Sequence, residues 1–340
     1  MTDKNNSQTL VNLASPKMGT KILSVSDEFF GEAIRMLSDK EPVFIEDKFD
    51  EHGKWMDGWE SKRRRDGGND WVIIKLGSPG VISTIEVDTS YFTGNFPPFF
   101  SLEGCYSSEI PNDDDDWILL KTKTSLIGDK KNNFDIKSNK TFNYIRLQIF
   151  PDGGVARLRL FGEVKYDWGK FKNNELIELS SLNLGGSIVA FNNAHYGDVS
   201  ALLSEGRGKT MGDGWETRRR REPGNDWIII KLAKKAMIKE IEIDTAHFKG
   251  NFPDKASIQA ASVSEVVSSN ENIIKDSEKW DLILDQTKLK ADNVHKFSLD
   301  LNPQKEATHI RLNIYPDGGV SRLRIFAVSY THLTLPTTDR

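Results

Sequence analysis

A single cysteine, Cys105, stands among 340 residues. One thiol excludes an intrachain disulfide, and a chain built without disulfides fits a reducing compartment. Long apolar runs are also missing; no stretch approaches the roughly 20 residues a membrane-spanning helix needs. The opening MTDKNNSQTLVNLASPKMGTK has no apolar signal core and is not an Arg-rich transit sequence. These absences lead us to expect a cytoplasmic protein with no membrane partner. A large excess of one charge is missing too: the formal net charge is −4, which gives no electrostatic case for a nucleic-acid partner. HxH, HExxH and CxxC spacings do not occur, so no zinc site is expected. We therefore expect no metal and no cofactor, while a divalent site assembled from Asp, Glu and His of separate loops stays open. P-loop, GxGxxG and Gly-x-Ser-x-Gly motifs are absent, which argues against phosphate-cradling and acyl-enzyme chemistry.

What the chain does contain is nearly the same message twice. DGWESKRRRDGGNDWVIIKL at 57–76 returns as DGWETRRRREPGNDWIIIKL at 213–232, with 15 of 20 positions identical. IRLQIFPDGGVARLRLF at 145–161 returns as IRLNIYPDGGVSRLRIF at 310–326, with 13 of 17 identical. Between them IEVDT (85–89) matches IEIDT (241–245), and GNFP (94–97) matches 250–253. A period of about 160 residues is too long for a solenoid unit and suits one globular domain. The expected layout is a lead segment 1–20, a first domain 21–165, a connector 166–188, a second domain 189–328 and an unrelated tail 329–340, with His332 set aside. Length differences fall near Glu41–Lys54 in the first half and Ser262–Ser277 in the second, as loop insertions do. The Asp113–Asp116 run reads as a solvated turn, with calcium as the alternative.

Short β-branched runs at Trp71–Leu76 and Trp227–Leu232 read as strands. So do the alternating stretches Thr84–Asp88, Tyr144–Ile149 and Arg157–Phe161. Turn residues at Asp66–Asn69, Gly77–Gly80 and Pro151–Gly154 separate them. A short helix is expected at Glu28–Leu37, with a copy near Gly197–Leu203. Many short strands with regular turns predict an all-β chain of two sandwiches or jelly rolls.

The block YIRLQIFPDGGVARLRLFGEV resembles the closing strands of galactose-binding-like jelly rolls, and WVIIKLGSPGVISTIEVDT resembles an earlier strand pair of that fold. More specifically, the ordered blocks DGWE-[ST]-[KR]-RRR, GNDW, IEIDT…F…GNFP and PDGGVxRLR, present in both halves, resemble the allantoicase family. The resemblance covers about residues 21–328 and implies two tandem galactose-binding-like jelly-roll β-sandwich domains. It also implies an allantoate amidinohydrolase, which converts allantoate to ureidoglycolate and urea in the recovery of purine nitrogen.

Such a substrate carries a carboxylate and two ureido arms on one carbon. Arginine suits the carboxylate because its planar fork binds bidentately. The candidates are Arg63, Arg64 and Arg65 with their copies Arg219, Arg220 and Arg221, and Arg157 with Arg322. Arg157 and Arg159, like Arg322 and Arg324, share a strand face, where pairing with Glu86 or Asp88 to hold the sandwich is the rival role. Asn69 and Asp70, with Asn225 and Asp226, are candidate acceptors for ureido N–H groups, or closers of Asx turns. Urea leaves once its nitrogen is protonated, so a general acid is needed. Glu60 and Glu216, each beside a Trp, are candidates, with ion pairing as their rival role. His195 and His247 occur in the second half only and are the other acid–base candidates. His295 and His309 have no evident polar companions in the sequence. The alternative from another class is a non-catalytic ligand- or carbohydrate-binding tandem module. The partner expected is the small-molecule substrate, with self-association into a homo-oligomer left open.

Overall fold

The structure, a computed structural model, describes residues 10–112, 115–172, 175–264, 269–299 and 306–328. Asp113, Asp114 and the tail 329–340 lie outside the described residues. The chain divides into two compact units, one spanning Leu10–Tyr166 and the other taking the chain from Asp167 onward.

In the first unit one 19-residue strand, Asp70–Asp88, organises everything else. Its opening half pairs with Phe142–Phe150 and Lys21–Val25, and its closing half with Arg157–Val164 and Lys131–Asp135, all antiparallel. Phe99–Cys105 and Ile118–Ser125 extend the first of these layers. The alternating pattern buries Val72, Ile74, Ile82, Ile85 and Val87 together with Ile145, Leu147, Leu158 and Leu160. Gly77–Gly80, expected as a turn between strands, lies inside this strand instead. The backbone there packs tightly, because a Cβ on Gly77 would sit 1.7 Å from the Met18 carbonyl oxygen. In the second unit the same path is two strands, Asp226–Ala236 and Ile238–Asp244, in a five-stranded and a four-stranded sheet. Ile228, Ile230, Ile241, Ile243, Leu312 and Leu323 fill its core. Each unit is thus a β-sandwich of jelly-roll type.

Segments flanking the repeats join these sheets. Val11–Asn12 pairs with Phe161–Gly162, and Leu176–Glu178 pairs with Phe326–Val328. The helix expected at Glu28–Leu37 is shorter, a 3-10 turn at Ala33–Leu37. It begins late because Gly31 is held in a bridge to Glu60, and a Cβ on Gly31 would lie 2.4 Å from Gly58 O. Its copy is Val199–Leu203, capped by Asp198. The second insertion, expected as loop, contains an α-helix at Asn270–Ser277, started by Ser269, whose Oγ accepts from Asn272 N at 3.3 Å.

The turn after the central strand of each sandwich brings distant blocks together. Gly154 N donates to Asn95 O at 2.8 Å, and Gly319 N to Asn251 O at 2.8 Å. A Cβ on Gly154 would meet the Phe92 ring at 2.0 Å, and one on Gly319 would meet Phe248 at 2.0 Å. Phe92 is fully buried and cannot yield. Gly154→Ala should therefore destabilise the protein by about 1–3 kcal/mol, the usual cost of overpacking. Urea denaturation checks this; an unchanged midpoint would show that Phe92 moves aside.

Candidate active site

The DGWE block enters between two glycines. Trp59–Glu60 pairs with Gly154–Val155 on one side and Glu60 bridges Gly31 on the other. Trp59 points inward, is fully buried, and donates from Nε1 to Asp27 O at 2.8 Å; Trp215 donates likewise to Asn193 O at 2.8 Å. Strand alternation turns the following glutamates outward. Glu60 Oε1 accepts from Asn95 Nδ2 at 2.7 Å, and Glu216 Oε1 accepts from Asn251 Nδ2. Burial raises the Glu60 carboxyl above its ordinary pKa, with the Asn95 hydrogen bond opposing part of that rise.

The arginine run continues from there over the PDGG turn. Ser61 N donates to Gly153 O, Arg64 N to Asp152 Oδ2 at 2.7 Å, and Asp70 N to Pro151 O. The second repeat repeats each contact through Thr217, Arg220, Asp226, Asp317, Gly318 and Pro316. The run, the turn and the Asn-Asp pair therefore converge at one end of each sandwich.

Within the run the three arginines have different fates. Arg64 turns inward and donates to Asp70 Oδ1 at 2.7 Å, to Asn69 O at 3.0 Å, and through Nε and Nη2 to both oxygens of Asp66 at 3.0 and 2.8 Å. Its guanidinium holds the Asp66 carboxyl far below the usual carboxylate range. Arg63 and Arg65 are exposed and make no side-chain pairing among the described residues. Arg219 and Arg221 are exposed in the same way, while Arg220 turns inward onto Asp226 Oδ1 at 2.8 Å. In the first repeat these residues surround a cleft of about 550 Å³ lined by Ser26, Asp27, the run from Lys62 to Asp66, and Asp70. Asp70 is buried; Oδ1 accepts from Ser26 Oγ and Arg64, and Oδ2 has no donor among the described residues. Asp226 repeats this, with Asn192 in place of Ser26 and Oδ2 again without a donor among the described residues.

Other candidates sit elsewhere. Arg157 is 1% exposed and donates to the carbonyls of Lys40, Asp57 and Ala156 and to Asp57 Oδ2 at 2.7 Å. Arg322 does the same with Gly206 O, Asp213 O, Ser321 O and Asp213 Oδ2. Arg159 pairs with Glu86 and Glu41, and Arg324 with Glu178 and Glu242. These strand arginines tie loops to sheets, and both Arg157 and Arg322 are shut off from solvent. The amides of Asn69 and Asn225 are turned to the sheet, toward Gln148 at 3.2 Å and Asn313 at 3.4 Å.

The histidines divide. His195 is exposed, lies edge-on to Tyr196, and donates its backbone N–H to Glu216 O at 2.8 Å. His247 adopts φ 69° and its ring bonds Gly208 O at 2.7 Å, so its ring anchors a loop. His295 has polar partners after all, Ile243 O and Lys290 N, at the position where the first repeat uses Asn132. Among the described residues no group of three or more His, Cys, Asp or Glu is placed to hold a metal ion. The residues the sequence reading passed over are Asn95 and Asn251, which hold the outward glutamates, and Asp152 and Asp317, which hold the arginine loop. Their signal was present in the duplicated GNFP and PDGG blocks.

Fold and site together define a class: tandem jelly-roll proteins that carry an arginine run, a buried aspartate and an amide-held glutamate at one end of each repeat. The family model of the allantoicase repeat matches residues 11–165 and 177–330. A probable allantoicase of Rhizobium meliloti (strain 1021) is 49% identical over 318 residues, covering 93% of both chains. A probable allantoicase 2 of Burkholderia pseudomallei (strain K96243) is 46% identical over 317 residues, covering 93% of this chain and 94% of that one. The crystal structure of allantoicase from Saccharomyces cerevisiae is similar with a TM-score of 0.80 at 31% identity, covering 95% of this chain and 94% of that chain. The chain belongs to the allantoicase family.

Proposed function

We infer that the protein is an allantoate amidinohydrolase, releasing urea and ureidoglycolate from allantoate. The observation that carries this reading is the match to relatives of the family across both repeats, at 46% and 49% identity over 93% of the chain. The site chemistry agrees with it. The arginine run offers guanidinium forks to the substrate carboxylate, and the oxygens of Asp70 and Asp226 that have no donor among the described residues offer acceptors for ureido N–H groups. Glu60, kept protonated longer by burial, is our choice of proton donor to the departing urea nitrogen as the C–N bond breaks; the carbon left behind takes the hydroxyl of a water, whose other proton returns to the Glu60 carboxylate. Glu216, held by Asn251, is its counterpart in the second repeat, and His195 flanks the backbone of Glu216. Among the described residues no helix is long and apolar enough to cross a membrane. The lone Cys105 is consistent with a cytoplasmic setting.

Incubating the purified protein with allantoate should release urea together with an equal amount of ureidoglycolate, read by a urease-coupled assay. A protein that binds allantoate but releases no urea above the uncatalysed rate would instead be a ligand-binding module.

A further inference from the structure

The two arginine loops differ at one place, and the difference changes what the inward arginine has to offer. In the first repeat Asp66 fills the Nε/Nη2 edge of Arg64, with both carboxylate oxygens within 3.0 Å. The loop allows this because Gly67 takes φ 76°, curling Asp66 back while Gly68 N bonds its Oδ1. In the second repeat the corresponding residues are Glu222 and Pro223. Proline locks φ near −65°, so the left-handed turn cannot form. Glu222 points away instead, to Arg218 Nη2 at 2.7 Å and Arg221 N at 3.2 Å. The outward turn is supported one strand over: Asp27, the acid near Lys62, is replaced by Asn193, which leaves Arg218 free to take Glu222.

Arg220 is consequently left with an unsatisfied donor edge. Its side chain is only 18% exposed, and Nη1 is bound to Asp226. Among the described residues Nε is buried with no acceptor, and Nη2 reaches only Pro223 O at 3.5 Å. A buried N–H without a partner costs about 1–3 kcal/mol, so the site favours a ligand that supplies an acceptor. The guanidinium lies against Gly224, where a Cβ would approach Nη2 to 3.1 Å, just as Arg64 lies against Gly68. Asp226, the residue that Arg220 holds, also keeps Oδ2 buried without a donor among the described residues. One bidentate donor edge and one acceptor therefore stand unfilled on a single bonded pair.

We propose that Arg220 and Asp226 form a binding seat in the second repeat for a small ureido carboxylate. The ligand's carboxylate takes the place that Asp66 occupies in the first repeat, and its N–H donates to Asp226 Oδ2. The first repeat has closed the equivalent edge with its own side chain, so the two repeats are unlike as ligand sites. The choice of ligand class rests on the amidinohydrolase reading; the position of the seat rests on the geometry alone.

The test is calorimetric titration of the full chain with N-carbamoylglycine, which carries one carboxylate and one ureido arm. Two variants accompany the wild type. The double change Glu222→Asp with Pro223→Gly gives the second loop the closing residues of the first. Arg220→Lys keeps the charge beside Asp226 but loses the fork. Each should weaken binding roughly tenfold to a hundredfold, the scale of a lost charged hydrogen bond. Wild-type protein that shows no binding at millimolar probe, or a folded double variant that binds as the wild type does, overturns the seat. Urea release from allantoate separates this from the reaction itself. Wild type that releases urea while both variants bind the probe normally refutes the seat only. Probe binding that depends on Arg220 in a protein that releases no urea refutes the reaction and leaves the seat standing.

Discussion

Glu60→Gln should lower kcat for urea release by about 10²–10⁴, the usual worth of a general acid, with the melting temperature nearly unchanged. Glutamine is isosteric and still offers Oε1 to Asn95, so the fold keeps its contact. The pH dependence provides the sharper check. Burial raises the Glu60 carboxyl above its ordinary 4.5. The acid form is the working form, so activity falls as pH rises through that raised value, giving an alkaline limb that Glu60→Gln should erase. Linkage has the same sign. A carboxyl whose folded pKa exceeds its unfolded one binds protons more tightly in the fold, so its contribution to stability is present at low pH and is lost as pH rises through the folded pKa. Glu216→Gln run in parallel assigns the role by repeat. If Glu60→Gln keeps wild-type kcat and Glu216→Gln loses it, the working acid is in the second repeat.

Arg157→Ala should have the largest effect on stability, about 3–5 kcal/mol, as expected when one member of a buried ion pair is removed. The change removes the cation that pairs with the Asp57 carboxylate, leaving it Val43 N at 3.0 Å, and takes the Arg157 donor from the Lys40 and Asp57 carbonyls. For a domain of this size that corresponds to roughly 6–20 °C in melting temperature. The KM for allantoate of the surviving folded protein should stay close to wild type, because the guanidinium is closed off from solvent. A raised KM with an unchanged melting temperature would make Arg157 a substrate ligand and reverse this assignment.

The duplicated architecture was legible because identical blocks recur in the same order, and apolar alternation marks the same strands in both copies. The division of labour among the arginines was not. Arg63, Arg64 and Arg65 are chemically identical in sequence, and only the loop's path turns the middle one inward. That path depends on Asp152, some ninety positions away, which accepts the Arg64 backbone N–H. Arg157 and Arg159 were read correctly as sharing a strand face. Their exclusion from solvent comes from loop carbonyls at Lys40 and Asp57, which no local pattern announces. The Glu60 partner was likewise hidden, since Asn95 sits in a separate block and reaches Glu60 only once Gly154 packs against Phe92. The Asn270–Ser277 helix was missed because its stretch has no counterpart in the first half, and alignment of the halves read it simply as extra length.

The pairing of Val11–Asn12 with Phe161–Gly162, and of Leu176–Glu178 with Phe326–Val328, places the beginning and end of each sandwich side by side. A unit whose two ends emerge together behaves like a bead with one hole: it threads into a longer chain without any strand crossing its interior. Tandem copying of such a unit disturbs neither core. Each copy then supplies its own edge strands, which leaves one loop free to change while its twin does not. The Asp-Gly and Glu-Pro versions of the arginine loop are two such loops within one polypeptide.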